Sequence, residues 1–275
     1  MNMATIFAES RQMPHIPRVV QELIETMQDE NVDIDKISKK VALDQSLTAK
    51  VLRLANSAHY GVPRTVSNPQ DAVVLLGFST LRTMVLASGM TGAFKVEGFD
   101  QKAFWKNAFG VAAISKWLAS YVPACDKDTA FTCGMVHSMG SLLMRMCVPE
   151  ESSKIDNAIL LSDTPRHTVE NSQLGFNYAD VGAELARRWK FPEVIQVSIA
   201  EQNNPRAEGE YFREAGLIYI AKYLKKAHDK NFSEEEIISG FPLAVAERID
   251  MDIKKAYADV ASIGELNSGL DGLLE

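Results

Sequence analysis

GMVHSMGSLLMRM, residues 134–146, can be read as part of either of two folds. Val136-His137-Ser138-Met139-Gly140 is one residue away from G-x-S-x-G, the strained elbow that lifts a hydrolase serine from a strand onto a helix. An elbow here would make the protein an α/β enzyme. The elbow needs glycine two residues before the serine, and Val136 holds that place. It also needs a strand leading in from a parallel sheet, and the chain has no such pattern. The stretch therefore reads as a tightly packed apolar helix carrying one histidine, His137, and the fold class as all-α.

The flanking sequence is helical in period. Toward the N-terminus, Val19, Val20, Leu23, Ile24 and Met27 recur at spacings of three and four after Pro17, which suits a first helical turn. Ile34, Ile37 and Val41 mark a short helix. In SLTAKVLRLANSA, Leu47, Val51, Leu54, Ala55 and Ala58 share a side, and Gly61 with Pro63 stop the helix. Asn68-Pro69 predicts an N-cap with proline at the first position, ahead of a helix that Gly77 ends, and Ser79 can cap the next. EGFDQ, residues 97–101, is the clearest internal boundary. Beyond it a long amphipathic helix buries Phe104, Trp105, Ala108, Val111, Ala112, Ser115 and Leu118. Asp128 starts the helix of the opening stretch, Thr164-Pro165 another that ends at Gly175, and Asn177 and Pro192 two more. GLIYIAKYLKKA follows, then Ser233 and Glu236 at capping-box spacing. The expected division is a tail over 1–12, an N-terminal helical part over 13–97, a helical core over 98–232 and a C-terminal helical extension over 233–275.

Composition excludes several roles. The chain has 275 residues and 46% apolar side chains, enough for one large core or two modest ones. A net charge of −7 opposes general binding of a phosphate backbone, so no nucleic-acid partner is expected. Cys125, Cys133 and Cys147 stand eight and fourteen residues apart, which fits reduced, mostly buried thiols rather than a metal site. The N-terminus has no cationic start followed by an apolar run, and no stretch suits a bilayer, so a cytoplasmic location is expected.

A metal site needs converging His and carboxylate ligands with a position open to water. No two of His15, His59, His137, His167 and His228 stand at helical ligand spacing. His15, His59 and His228 read as surface, His167 as exposed, and His137 as a packed core histidine. Asn56-Ser57 is the other unusual pair, because asparagine in a helix competes for backbone hydrogen bonds. Either it contacts a ligand or partner, or it makes an internal bond fixing the loop HYGVPRT, and the internal bond is favoured. The methionines and the stripe Phe104, Trp105 and Phe109 read as core. No phosphate loop appears, and no metal or other cofactor is expected.

Successive motifs carry a family resemblance. MPHIPRVVQELIETM, DIDKISKKVALDQSLTAKVLRLANSAHYG and NPQDAVVLLGFSTLRTMVL, followed by AFWKNAFGVAAISKWLA, AFTCGMVHSMGSLLM and LGFNYADVGAELARRWKFPEVIQVSI, resemble the HDOD domain, the HD-related output domain of bacterial signalling proteins. The likeness runs over residues 13 to 225 and implies an N-terminal helical bundle packed on an HD-like helical core. HD phosphohydrolases hold metal through scattered histidines and a His-Asp pair. On that pattern the first histidine falls on Asn107, the pair on His137 and Ser138, a later histidine on Tyr178, and a double histidine on Glu201 and Gln202. Only His137 is retained, and a neutral serine cannot bridge cations as the aspartate does. The resemblance thus implies no catalytic residue but a regulatory module acting on a signalling partner, with Asn56, Ser57 and Tyr60 as a candidate interaction motif. The alternatives are a phosphohydrolase with substitute ligands, Glu201 among them, and a sensor of a nucleotide or cyclic dinucleotide.

Overall fold

The computed structural model describes residues 2–8, 13–27, 29, 31–162, 164–205, 212–266 and 268–274. Among them every regular element is helical. The N-terminal part carries α1 (Ala4–Ala8), α2 (Arg18–Glu25), α3 (Ile34–Leu43), α4 (Gln45–Ala55), α5 (Pro69–Leu76) and α6 (Phe78–Ala93). The middle carries α7 (Gln101–Leu118), α8 (Lys127–Val136), α9 (Met139–Cys147), α10 (Pro149–Ser162), α11 (Arg166–Leu174), α12 (Tyr178–Arg188), α13 (Glu193–Glu201) and α14 (Phe212–Asp229). Three short helices follow, α15 (Glu234–Ser239), α16 (Leu243–Arg248) and α17 (Ile253–Ala258), then 3-10 turns at Val260–Glu265 and Asp271–Leu274. No described helix is long and apolar enough to cross a membrane.

Local chemistry explains the starts. The carboxylates of Asp33, Asp44, Asp100 and Asp126 each accept an orphan backbone N–H of the helix they precede. Asn68 does so ahead of Pro69, and Asn177 with Asp180 and Ser233 with Glu236 form reciprocal capping boxes. Two expectations need correcting. α8 begins one residue earlier than Asp128, under the Asp126 cap. Ser79 lies inside α6, which starts behind Gly77 (φ 85°), and its hydroxyl donates to Asp128 instead of capping.

Two apolar clusters form the interior, and α7 lies between them. Trp105, Ala108, Phe109 and Ala112 face the first cluster, with α2 to α4, α6, α8, α9, α12 and α13. Val111, Ile114 and Leu118 face the second, with α14 and the C-terminal helices. Each large side chain so buried contributes about 1.5–3 kcal/mol relative to exposure. The first cluster runs through residues on both sides of the 97–101 boundary. Residues 1 and 9–12 of the expected tail lie outside the described set, but α1 within it is anchored on one side. Ile6 and Phe7 are buried, and the Arg188 guanidinium lies over the Phe7 ring, 4.4 Å from its centroid.

Candidate functional site

The opening stretch is two helices, not the single packed helix its apolar run suggests. α8 ends at Val136, His137 and Ser138 form the junction, and α9 starts at Met139. Two glycines frame the break. A Cβ on Gly134 would lie 2.7 Å from the Cα of Ala112 in α7, and one on Gly140 would lie 2.1 Å from the carbonyl oxygen of Tyr178 in α12. α8 is thereby held against α7 and α9 against α12, and the chain turns between the two contacts. A helix end leaves carbonyls without intrahelical partners. Here the His137 carbonyl accepts from Gln202 Nε2 at 2.6 Å, and the Ser138 carbonyl accepts from the Ser141 hydroxyl at 2.9 Å.

Beside this junction, α7, α11, α12 and α14 enclose a cleft of about 410 Å³. Asn107, His137, Ser138 and Tyr178 all line it, so four positions of the implied HD pattern do converge. Gln202 lies fully buried beneath them, and Glu201 is not among the lining residues. His137 is buried, and its Nδ1–H donates to the Gly134 carbonyl at 2.7 Å. Burial first, and then the charge of Lys222, push the imidazole down to about 3. It is neutral at physiological pH, with its lone pair on Nε2.

Lys222, half-buried on α14, is the hub of the polar groups. Its ammonium donates to Asn203 Oδ1 at 2.6 Å, to the Tyr178 hydroxyl at 2.9 Å and to Gln202 Oε1 at 3.3 Å. Burial lowers it to about 7. The Tyr178 hydroxyl donates in turn to Asn203 Oδ1 at 2.9 Å, and burial raises its phenol well above the usual range. On the α11 side, Arg166 pairs with Asp156 at 2.6 Å and with Glu170 at 2.7 Å. Glu170 also accepts the Tyr178 backbone N–H at 2.7 Å, and its burial raises its carboxyl. His167, expected to be exposed, is half-buried; its imidazole is lowered by burial and by the charge of Lys222.

These residues do not suit a catalytic metal. Among the described residues no three His, Cys, Asp or Glu side chains converge, and His137 is the one imidazole lining the cleft. An ammonium sits where a divalent cation would compete for the same oxygens, and Lys226 and Lys230 line the same space. Amide and phenol oxygens are weak partners for a transition metal.

Asn56, Ser57 and Tyr60 lie elsewhere. The Asn56 carboxamide donates to the carbonyls of Leu52 and Val66 at 2.8 and 2.9 Å and accepts the Val66 N–H at 2.8 Å, so it closes the loop after α4. Tyr60 lines a second cavity of about 400 Å³ with His59, Lys116, Trp117 and the C-terminal Leu266 and Ser268. Sequence reasoning missed Lys222, Asn203 and Arg166. The one available signal was the four-residue spacing of Lys222, Lys226 and Lys230.

A family model for the HDOD domain matches residues 13–205. A presumed phosphohydrolase from Shewanella amazonensis SB2B is 34% identical in its crystal structure, with a TM-score of 0.80 over 99% of this chain and 98% of that one. An HDOD domain protein of unknown function from Geobacter sulfurreducens shares the fold at 21% identity, TM-score 0.76, over 96% of each chain. A presumed signal transduction protein from Marinobacter aquaeolei VT8 does so at 21% identity and TM-score 0.79, over 96% of this chain and 60% of that one. An uncharacterized protein of Treponema pallidum (strain Nichols) is 25% identical over 202 residues, 72% of this chain and 39% of that protein's length.

Proposed function

The chain belongs to the HDOD family, and from that premise we propose that it is a signalling module that works by binding and does not hydrolyse phosphate esters. What carries this reading is the Lys222 ammonium, held by Tyr178, Gln202 and Asn203 beside His137, where the family pattern would assemble a metal. A lysine amino group anchored on those oxygens keeps the helices packed, but it cannot generate hydroxide from water as a metal does. We propose further that the output is passed to a protein partner, and that the work is cytoplasmic. Cys125 and Cys133, thiols not joined in a disulfide, fit a reducing compartment. Because Asn56 is engaged internally, a partner at the candidate motif would meet the His59–Tyr60 edge.

The name of the Shewanella relative makes hydrolysis the competing reading. The test is bound metal measured on purified protein, with hydrolysis of phosphomonoesters and phosphodiesters assayed in added Mn²⁺ or Mg²⁺. The expected result is less than stoichiometric metal and no turnover. Turnover that disappears in His137→Ala would overturn the proposal.

A further inference from the structure

Among the described residues Lys222 forms no ion pair, and its three partners are the uncharged oxygens of Asn203, Tyr178 and Gln202. The one carboxylate lining the cleft, Asp229, is paired with Lys225, and the carboxylates on the α11 side, Asp156 and Glu170, are taken up by Arg166. The titratable groups that face Lys222 from the surrounding elements are His137, Tyr178, His167 and Arg166, with Lys226 and Lys230 further along its own row. All of these are neutral or cationic near pH 7, so none of them holds a proton on the Lys222 amine. Burial without a counter-ion brings that amine to about 7. An unperturbed lysine, at about 10.4, is the free base in only about one molecule in a thousand near neutral pH. Lys222 is the free base in a large share of molecules there. In that form it keeps two N–H groups for Asn203 and Tyr178 and gains a lone pair, at the loss of its longest contact, 3.3 Å to Gln202. A desolvated lysine among other cations is the kind that attacks carbonyl carbon, and this one lines a cleft of about 410 Å³.

We propose that Lys222 captures a small 2-oxo acid as a covalent imine, with the acid's carboxylate held by the lysines that follow it on and just past α14. The Nζ lone pair bonds to the carbonyl carbon, and the carbonyl π pair moves to oxygen, which takes a proton to give a carbinolamine. That oxygen then leaves as water with the two protons that nitrogen gives up, and the C=N bond closes. No oxidant or reductant is consumed. The Tyr178 hydroxyl, 2.9 Å from Nζ, stands where it can take a proton from nitrogen and return one to oxygen. The choice of an acid comes from Lys226 and Lys230, which are exposed, line the same cleft and have no ion-pair partner among the described residues. Side chains four residues apart on a helix start about 5–6 Å from each other. A carboxylate adjoining the carbonyl can therefore reach the Lys226 ammonium while its neighbouring carbon is bonded to Lys222. Val111 and the Tyr178 ring leave an apolar wall for the rest of a short carbon chain. The inference goes beyond the binding reading above, because it gives the cleft a bond-forming chemistry of its own.

Borohydride trapping on the full chain tests it. The protein is incubated at low salt with millimolar glyoxylate, pyruvate or 2-oxoglutarate, or with uncharged methyl pyruvate, then reduced, and the label is mapped by peptide mass. The expected result is that at least one acid labels Lys222 roughly tenfold or more above any other lysine, with a rate that rises through pH 7. The same protein in urea should lose that preference, a control that needs no variant. Lys222→Arg keeps a cation among the same oxygens and should lose the label at this position while the exposed lysines react as before. No label at Lys222 overturns the imine, as does label spread evenly over Lys222, Lys226 and Lys230 in the folded protein. Labelling of Lys222 by methyl pyruvate that equals labelling by pyruvate overturns the assignment to an acid. The hydrolysis assay is separate from these outcomes. Turnover there would sink the non-hydrolytic reading and leave a trapped imine standing, and an unlabelled Lys222 would do the reverse.

Discussion

His137 and Ser138 show how much one position can carry. The imidazole is held down to about 3, first by burial and then by Lys222, whereas an unfolded histidine titrates near 6.5. Above that pH neither state takes up the proton. Between 6.5 and 3 only the unfolded chain does, so stability is full at neutral pH and falls on acidification. At pH 5 the loss from His137 is about 2 kcal/mol. His167 shifts in the same direction, so the comparison that isolates His137 is against His137→Gln. Urea midpoints at pH 7.5 and 5 should differ less in that variant, and equal pH slopes in both proteins would refute the assignment. Ser138 is the complementary case. Restoring the carboxylate with Ser138→Asp should yield neither Mn²⁺ uptake by calorimetry nor metal-dependent hydrolysis, because Asn107 and Tyr178 still supply no imidazole and Lys222 still faces the site. A metal-dependent hydrolase from that single change would refute this account of the cleft.

At the scale of the element, the site depends on how closely helices approach. α9 and α12 meet at Gly140, where an added Cβ would lie 2.1 Å from the Tyr178 carbonyl oxygen and 2.4 Å from the Gly182 nitrogen. Both are backbone atoms and cannot swing aside. Gly140→Ala should therefore destabilise the fold by about 3 kcal/mol by chemical denaturation. A cost below about 1 kcal/mol would mean that the helices separate easily and that the contact does not fix the junction. The helix starts were legible in sequence because caps are local: Asn68-Pro69, Asn177 and Ser233 with Glu236 each act within three residues. The junction at His137 was not, because its cause lies in α7 and α12, remote in sequence from Gly134 and Gly140. Ser79 misled for the same reason, since its partner Asp128 is 49 residues away. Four positions of the candidate site, Asn107, His137, Ser138 and Tyr178, were legible through the family pattern. Lys222 was not, because it touches Tyr178, Gln202 and Asn203 from 44, 20 and 19 residues away, and no local pattern encodes such contacts.

Across the whole molecule, the C-terminal residues complete what the N-terminal residues begin. The HDOD match ends at residue 205, yet α14 supplies Ile218 to the first apolar cluster and Leu217, Ile220 and Leu224 to the second. Leu270 is wholly buried in the first cluster, and the turn Asp271–Leu274 packs against α4, α6 and α7. A chain whose last residues lie in the same interior as its first helices should unfold as one unit, because neither side retains its core without the other. Leu270→Ala removes a fully buried side chain and should cost about 2–5 kcal/mol, depending on how far the site collapses. Under cooperative unfolding, helix content by circular dichroism and tryptophan emission from Trp105, Trp117 and Trp189 follow one urea curve, and the substitution moves both signals by the same amount. Two separate transitions, with Leu270→Ala shifting only one of them, would show instead that the C-terminal extension and the N-terminal helices fold independently of the helices that form the cleft.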